Sequence, residues 1–155
     1  MKVVILCGGK GTRMREETEY RPKPLVNVGG KPIIWHIMKL YSHFGFNDFI
    51  LCLGYKGEMI KQYFMEMYWR NNDITLNTVN NNLICHNSKE EQWNITMLDT
   101  GFETFTGGRI KKIKDYIEED EFMLTYGDGL SNINILLNYH KKKGKIATLT
   151  GVHPT

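Results

Sequence analysis

The chain has 155 residues, of which 41% are hydrophobic and 24% charged, with a net charge of +3 and a pI near 8.7. This suffices for one domain burying roughly 70% of the surface its extended chain would expose, and no apolar stretch is long enough for a bilayer span or a signal-peptide core. The mild positive excess suits a phosphorylated small molecule and is too small, and too evenly spread, to argue for nucleic acid.

The chain opens on Val3-Val4-Ile5-Leu6, an apolar run without alternation, as a strand buried on both faces of a parallel sheet requires. It stops in Cys7-Gly8-Gly9-Lys10-Gly11-Thr12-Arg13-Met14. Gly8, Gly9 and Gly11 can take backbone angles closed to other residues and admit a ligand close to the main chain. Successive N–H groups there can form an anion nest, and Arg13 adds a forked cation, so a phosphate is the expected guest. Residues 15–20 show no period. In Arg21-Pro22-Lys23-Pro24-Leu25 two prolines hold the backbone extended, exclude helix and fix the direction of the Lys23 ammonium.

After a turn over 26–31, Pro32 opens a helix to about Phe44, with Gly45 as its stop. Ile33, Ile34, Ile37, Met38, Tyr41 and Phe44 form its core stripe. Phe49 to Leu53 is a second buried strand, and Met59, Ile60, Tyr63, Phe64, Met67 and Tyr68 mark a second amphipathic helix, facing the core or a subunit interface. From 71 to 91 the chain is polar and rich in asparagine, with short strands at 74–79 and 83–86 around Asn80-Asn81-Asn82; it reads equally as a flap over a site or a surface excursion.

Ile95 to Leu98 is a further strand, leading into Asp99-Thr100-Gly101. Thr106 is expected to cap a helix from Gly107, with Ile110, Ile113, Tyr116 and Ile117 inward, and Gly107-Gly108-Arg109 at its start is a second potential anion site. Phe122 to Tyr126 reads as a buried strand ending in Gly127-Asp128-Gly129. A helix over Ile133–Lys143, stopped by Gly144, precedes a last strand at 146–152. Strands alternating with helices give an α/β domain with a mostly parallel sheet and flanking helices. Cys7, Cys52 and Cys85 lack metal-site spacing and read as reduced, mostly buried thiols of a cytoplasmic protein, while His36 and His43 share a helix face with no ligand cluster around them.

Ligands of open parallel sheets sit beyond the carboxyl ends of the strands. If the first strand and 122–126 are parallel, the glycine loop and Asp128 share that rim, and a lone carboxylate there suits magnesium, which takes further ligands from phosphates. Met14 stands where a dinucleotide fingerprint needs glycine, and Gly30-Lys31-Pro32 lacks the upstream glycine of a Walker loop. Hydride transfer and P-loop hydrolysis are therefore unsupported.

Leu6 to Met14, Pro22-Lys23-Pro24 and Gly127-Asp128-Gly129 resemble, in order and spacing, the motifs of the sugar-1-phosphate nucleotidylyltransferases, with Cys7 where alanine is common. Gly30 to Met38, Gly54-Tyr55-Lys56-Gly57, Trp93-Asn94-Ile95-Thr96, Asp99-Thr100-Gly101 and Thr106-Gly107-Gly108-Arg109 narrow the resemblance to the glucose-1-phosphate cytidylyltransferases. The resemblance implies a Rossmann-like, glycosyltransferase-A-like nucleotidyltransferase fold and the reaction CTP plus α-D-glucose 1-phosphate to CDP-glucose and pyrophosphate, with Mg2+. It implies that Leu6, Cys7, Gly8, Gly9 and Lys10 hold the nucleoside and that Gly11, Thr12 and Arg13 cradle the triphosphate. Arg13 and Lys23 would be catalytic, Lys23 stabilising charge at the α-phosphate; Thr104 and Arg109 would complete the pocket, and Asp128 would hold substrate and metal. It further implies a homo-oligomer in full-length form and a place in nucleotide-sugar biosynthesis of the kind that feeds lipopolysaccharide O-antigen.

Such enzymes exceed 200 residues, so residues 1–155 are expected to be a nucleotide-binding catalytic domain without the C-terminal sugar-binding portion and second metal carboxylate. The alternatives are a sister enzyme using dTTP or UTP, and a nucleotide-binding fragment without turnover.

Overall fold

A computed structural model of the chain describes residues 1–10, 20–86, 91–129 and 133–151. The N-terminal apolar run forms β1 (Lys2–Leu6), in which Val3, Val4 and Ile5 are fully buried. A single 3-10 turn at Lys23–Leu25 follows, where an extended segment was expected. Pro22 stays extended at its N-cap and Pro24, with φ fixed by its ring, fits the first turn of a helix as readily as an extended chain. The turn over 26–31 is a two-residue antiparallel ribbon, β2 (Asn27–Val28) and β3 (Lys31–Pro32).

Helix α1 (Ile33–His43) buries Ile34, Ile37, Met38 and Tyr41, and Gly45 at φ +86° provides the stop expected of it. Strand β4 (Asp48–Leu53) is buried from Phe49 on, and α2 (Gly57–Arg70) buries Ile60. The asparagine-rich stretch is a hairpin, β5 (Asp73–Asn77) with β6 (Asn82–His86), and Asn81 takes the left-handed conformation in its turn. β7 (Asn94–Asp99) precedes α3 (Thr106–Lys112). Strand β8 (Phe122–Tyr126) and α4 (Ile133–Lys143) complete the described elements.

The main sheet has four parallel strands in the order β7-β4-β1-β8. One face carries Val3, Ile5, Cys7, Phe49, Leu51 and Leu53 against α1 and Ile60 of α2; the other carries Val4, Leu6, Ile50 and Cys52 against Ile113. Covering both faces is what permits the unbroken apolar runs of β1 and β4. Each buried branched side chain contributes roughly 1.5–3 kcal/mol relative to exposure.

Three expectations are corrected. β8 is not buried: among the described residues it is the edge strand of the sheet and it alternates, with Phe122, Leu124 and Tyr126 at 36, 43 and 59% exposure on its outward side. Thr106 lies inside α3, whose N-cap is Phe105 without a side-chain cap, and the helix ends at Lys112 before a 3-10 turn over Lys114–Tyr116, leaving Tyr116 exposed and Ile113 to carry the burial. Residues 146–151 form no strand; Ile146 and Leu149 are exposed, and the stretch has no ladder partner among the described residues to satisfy an extended backbone. Val152 lies outside the described residues.

Candidate active site

The parallel strands end on one rim, and backbone hydrogen bonds stitch their loops together there. Cys7 N–H donates to Cys52 O at 3.0 Å, Gly127 N–H to Leu6 O at 3.0 Å, Tyr55 N–H to Gly8 O at 3.3 Å and Thr100 N–H to Leu53 O at 3.0 Å. The glycine loop and Gly127-Asp128-Gly129 are thus neighbours, as the rim argument expects. Between them lies a cavity of about 410 Å³ whose lining includes eight of the residues singled out above: Leu6, Cys7, Gly8, Gly9, Lys23, Thr104, Arg109 and Asp128. A second cavity, of about 430 Å³, lies between the 3-10 turn, the β2–β3 ribbon and α2, away from the strand ends.

The 3-10 turn carries Lys23 across to β8, where its ammonium forms an ion pair with the Asp128 carboxylate. Both side chains are about one-third exposed, so the pair is reachable from the cavity. Lys10 turns away: its ammonium donates to Glu103 Oε1 at 2.8 Å and sits over the Phe102 ring, 4.3 Å from the centroid. Gly11, Thr12 and Arg13 lie outside the described residues.

Arg109 is the largest departure from the sequence reading. Its guanidinium was expected at a helix N-terminus facing an anion. Instead it is buried beneath the glycine loop at 5% exposure, with Nη1 donating to Leu53 O at 2.8 Å and Thr100 Oγ1 at 2.6 Å, and Nη2 donating to Gly8 O at 3.1 Å. It also explains the glycines around it. A Cβ on Gly8 would fall 2.2 Å from Arg109 Cζ, and one on Gly54 would fall 2.7 Å from Nη1. Gly8 is not in the left-handed region, so what it supplies is space rather than an unusual backbone angle.

Sequence reasoning quoted Thr100, Gly54, Pro24 and Thr106 within motifs but gave them no part in the site, and it gave none to Phe105 or Tyr126; of these, Pro24, Phe105, Thr106 and Tyr126 line the cavity. The rule that loops after parallel strands share a rim would have pointed to Thr100 and Gly54, since each directly follows a strand.

The electrostatics are those of a half-open polar pocket over an apolar floor. Burial pushes the Cys7 thiol far up, with Cys52 and Asp128 adding and Arg109 opposing, so Cys7 is a neutral packing group rather than a nucleophile. Burial likewise raises Cys52 to about 11 against the opposing Arg109 charge. Among the described residues no three His, Cys, Asp or Glu side chains gather as a metal cage. Asp128 nevertheless suits a hard cation, because its carboxylate already holds a positive group, the Lys23 ammonium, at the cavity wall. A single carboxylate with open space beside it could hold a divalent cation that retains water and takes phosphate oxygens.

A family model described as nucleotidyl transferase matches residues 2–154. The chain belongs to the nucleotidyl transferase family. It is 55% identical over 154 residues to a Bacillus subtilis protein named "Probable glucose-1-phosphate cytidylyltransferase", covering 98% of this chain and 60% of that one. It is 49% identical over 157 residues to a Salmonella typhimurium protein named glucose-1-phosphate cytidylyltransferase, covering 99% and 61%. The chain therefore spans about three-fifths of the length of these curated relatives. Among solved structures, HddC from Yersinia pseudotuberculosis, determined as a complex with GMP-PN, superposes with a TM-score of 0.60 at 27% identity, over 82% of this chain and 47% of that one. These similarities bear out the α/β reading with its parallel sheet. No helix among the described residues is long and apolar enough to cross a membrane.

Proposed function

We propose that this transferase domain binds CTP in the rim cavity and, in a protein of its relatives' length, transfers the cytidylyl group to α-D-glucose 1-phosphate. An oxygen of the sugar phosphate forms a bond to the α-phosphorus of CTP while the bond to the β-phosphate oxygen breaks, and pyrophosphate leaves with that electron pair. The observation that carries the reading is the Lys23–Asp128 pair facing the glycine loop across one cavity, in a chain 49–55% identical to glucose-1-phosphate cytidylyltransferases.

Such a transfer asks little covalent chemistry of the protein, so positioning and charge placement carry it. Leu6, Cys7, Gly8 and Gly9, with Lys10 beside them, hold the nucleoside; Gly11, Thr12 and Arg13 receive the triphosphate. Lys23, released from Asp128, sets its ammonium against the α-phosphate, where negative charge develops. Thr104 and Arg109 close the wall behind the base. Asp128 would hold Mg2+, which neutralises phosphate charge when bound. The protein is cytoplasmic and forms a homo-oligomer in its full-length form.

Calorimetry with CTP and Mg2+, followed by a pyrophosphate-release assay with glucose 1-phosphate, tests this. CTP binding tighter than dTTP or UTP is expected; a preference for either of those transfers the reading to a sister enzyme. The share of the relatives' length spanned favours a second outcome for the 155 residues alone, nucleotide binding without turnover.

A further inference from the structure

Thr100 and Arg109 are the buried polar residues among the described ones, at 1 and 5% exposure, and they are hydrogen-bonded to each other. Thr100 has one hydroxyl proton, which it donates to Leu53 O at 2.6 Å; its oxygen is then left to accept from Arg109 Nη1, also at 2.6 Å. The guanidinium is planar and its donors form a rigid fork, so fixing Nη1 fixes where Nη2 points. Nη2 reaches Gly8 O at 3.1 Å and Phe102 O at 3.4 Å. Nearby, Thr100 O accepts from Lys112 Nζ at 2.9 Å, and the same ammonium donates to Thr104 Oγ1 at 3.3 Å. A single threonine thus joins the ends of β4 and β7 and, through the guanidinium, the glycine loop after β1.

We infer that Thr100 is a positioning residue of the nucleotide site: its hydroxyl orients the Arg109 guanidinium, which in turn holds the Gly8 carbonyl and the 101–105 loop that carries Thr104. The inference rests on the proposed nucleotide reading for its consequence, and on the hydrogen-bond chain alone for its structural part. Thr100 lies behind the cavity wall and is not among its lining residues, so its effect on a ligand passes through Arg109. Valine at this position keeps the branched shape but leaves Nη1 and Leu53 O without their hydroxyl partner; serine keeps the hydroxyl.

The test compares wild type, Thr100→Val and Thr100→Ser by amide hydrogen exchange and by CTP calorimetry with Mg2+. In Thr100→Val, exchange is expected to quicken at Gly8–Lys10 and at 101–105 while β1 and β4 keep their protection, and the Kd for CTP is expected to rise about tenfold, the scale of one lost buried hydrogen bond. Thr100→Ser is expected to restore both. Unchanged exchange at Gly8–Lys10 in Thr100→Val overturns the inference. So does quickening spread evenly over β1 and β4, which assigns Thr100 to general stability. Should wild type bind no CTP while the loop still loosens locally, the proposed function fails and the positioning role stands.

Discussion

Gly8→Ala isolates the claim that the glycine loop rests on a guanidinium. The backbone itself accepts alanine, because Gly8 is not in the left-handed region. The added methyl would lie 2.2 Å from Arg109 Cζ, where ordinary contact begins near 3.4 Å, so loop or guanidinium must retreat by about 1 Å. Retreat of the guanidinium opens the Nη1 bonds to Leu53 O and Thr100 Oγ1, now 2.8 and 2.6 Å, at a side chain only 5% exposed. Charge-assisted bonds of this kind contribute about 1.5–3 kcal/mol each, and partial relaxation returns some of it, so a net loss of about 3 kcal/mol is expected. Urea denaturation followed by circular dichroism measures it. A double-mutant cycle then identifies the cause: on an Arg109→Ala background, where the space is vacant, Gly8→Ala should cost less than about 1 kcal/mol. Equal costs on the two backgrounds would refute the reasoning, and so would a single-variant cost within about 0.5 kcal/mol of zero.

Asp128→Asn should abolish the strengthening of CTP binding by Mg2+, while metal-free CTP binds at least as well, because Lys23 loses its intramolecular partner; calorimetry with and without the metal checks both halves. Ile50→Ala, deleting a fully buried side chain between Val4, Cys52 and Ile113, should cost about 3–4 kcal/mol in urea denaturation, and a cost below about 1 kcal/mol would mean that this face of the sheet is loosely packed. Because burial raises Cys52 to about 11, the folded chain keeps its proton when the unfolded chain has lost it. Stability should therefore be insensitive to this thiol below about pH 9 and fall between about pH 9 and 11, and Cys52→Ala should flatten that decline in thermal denaturation.

The parts of the fold legible in the sequence were those where one local pattern decides the answer. Val3 to Leu6 and Phe49 to Leu53 are continuous apolar runs, and they are the two central strands with both faces covered. Ile34, Ile37, Met38 and Tyr41 recur at helical spacing and lie inward on α1. What escaped depended on neighbours far along the chain. Phe122 to Tyr126 has the composition of a buried strand, yet its burial depends on what stands on its second side, which no residue within it encodes. Ile146 to Leu149 has strand composition and no ladder partner among the described residues. At the site, the glycine loop and Asp128 were placed on one rim by parallel-sheet geometry, but the direct pairing of Asp128 with Lys23, 105 residues away, was not foreseen. Arg109 was misread for a similar reason: a helix start and a guanidinium suggest an anion, whereas the space left by Gly8 and Gly54 lets the side chain fold inward.

The strand order has a consequence for synthesis. β1 leaves the ribosome before the other described strands, yet its neighbours are β4 on one side and β8 on the other, so it waits through more than a hundred residues for its second partner. During that interval Val4 and Leu6 can be covered only by β4 and what packs with it, and one edge of β1 offers a full row of unpaired amides and carbonyls. The nascent domain is therefore most exposed to wrong pairing just before β8 emerges. Asp128, at the end of β8, arrives with the strand that closes this edge. A nucleotide that needs both the glycine loop and Asp128 can bind only after closure, and by mass action it then holds the late strand in place.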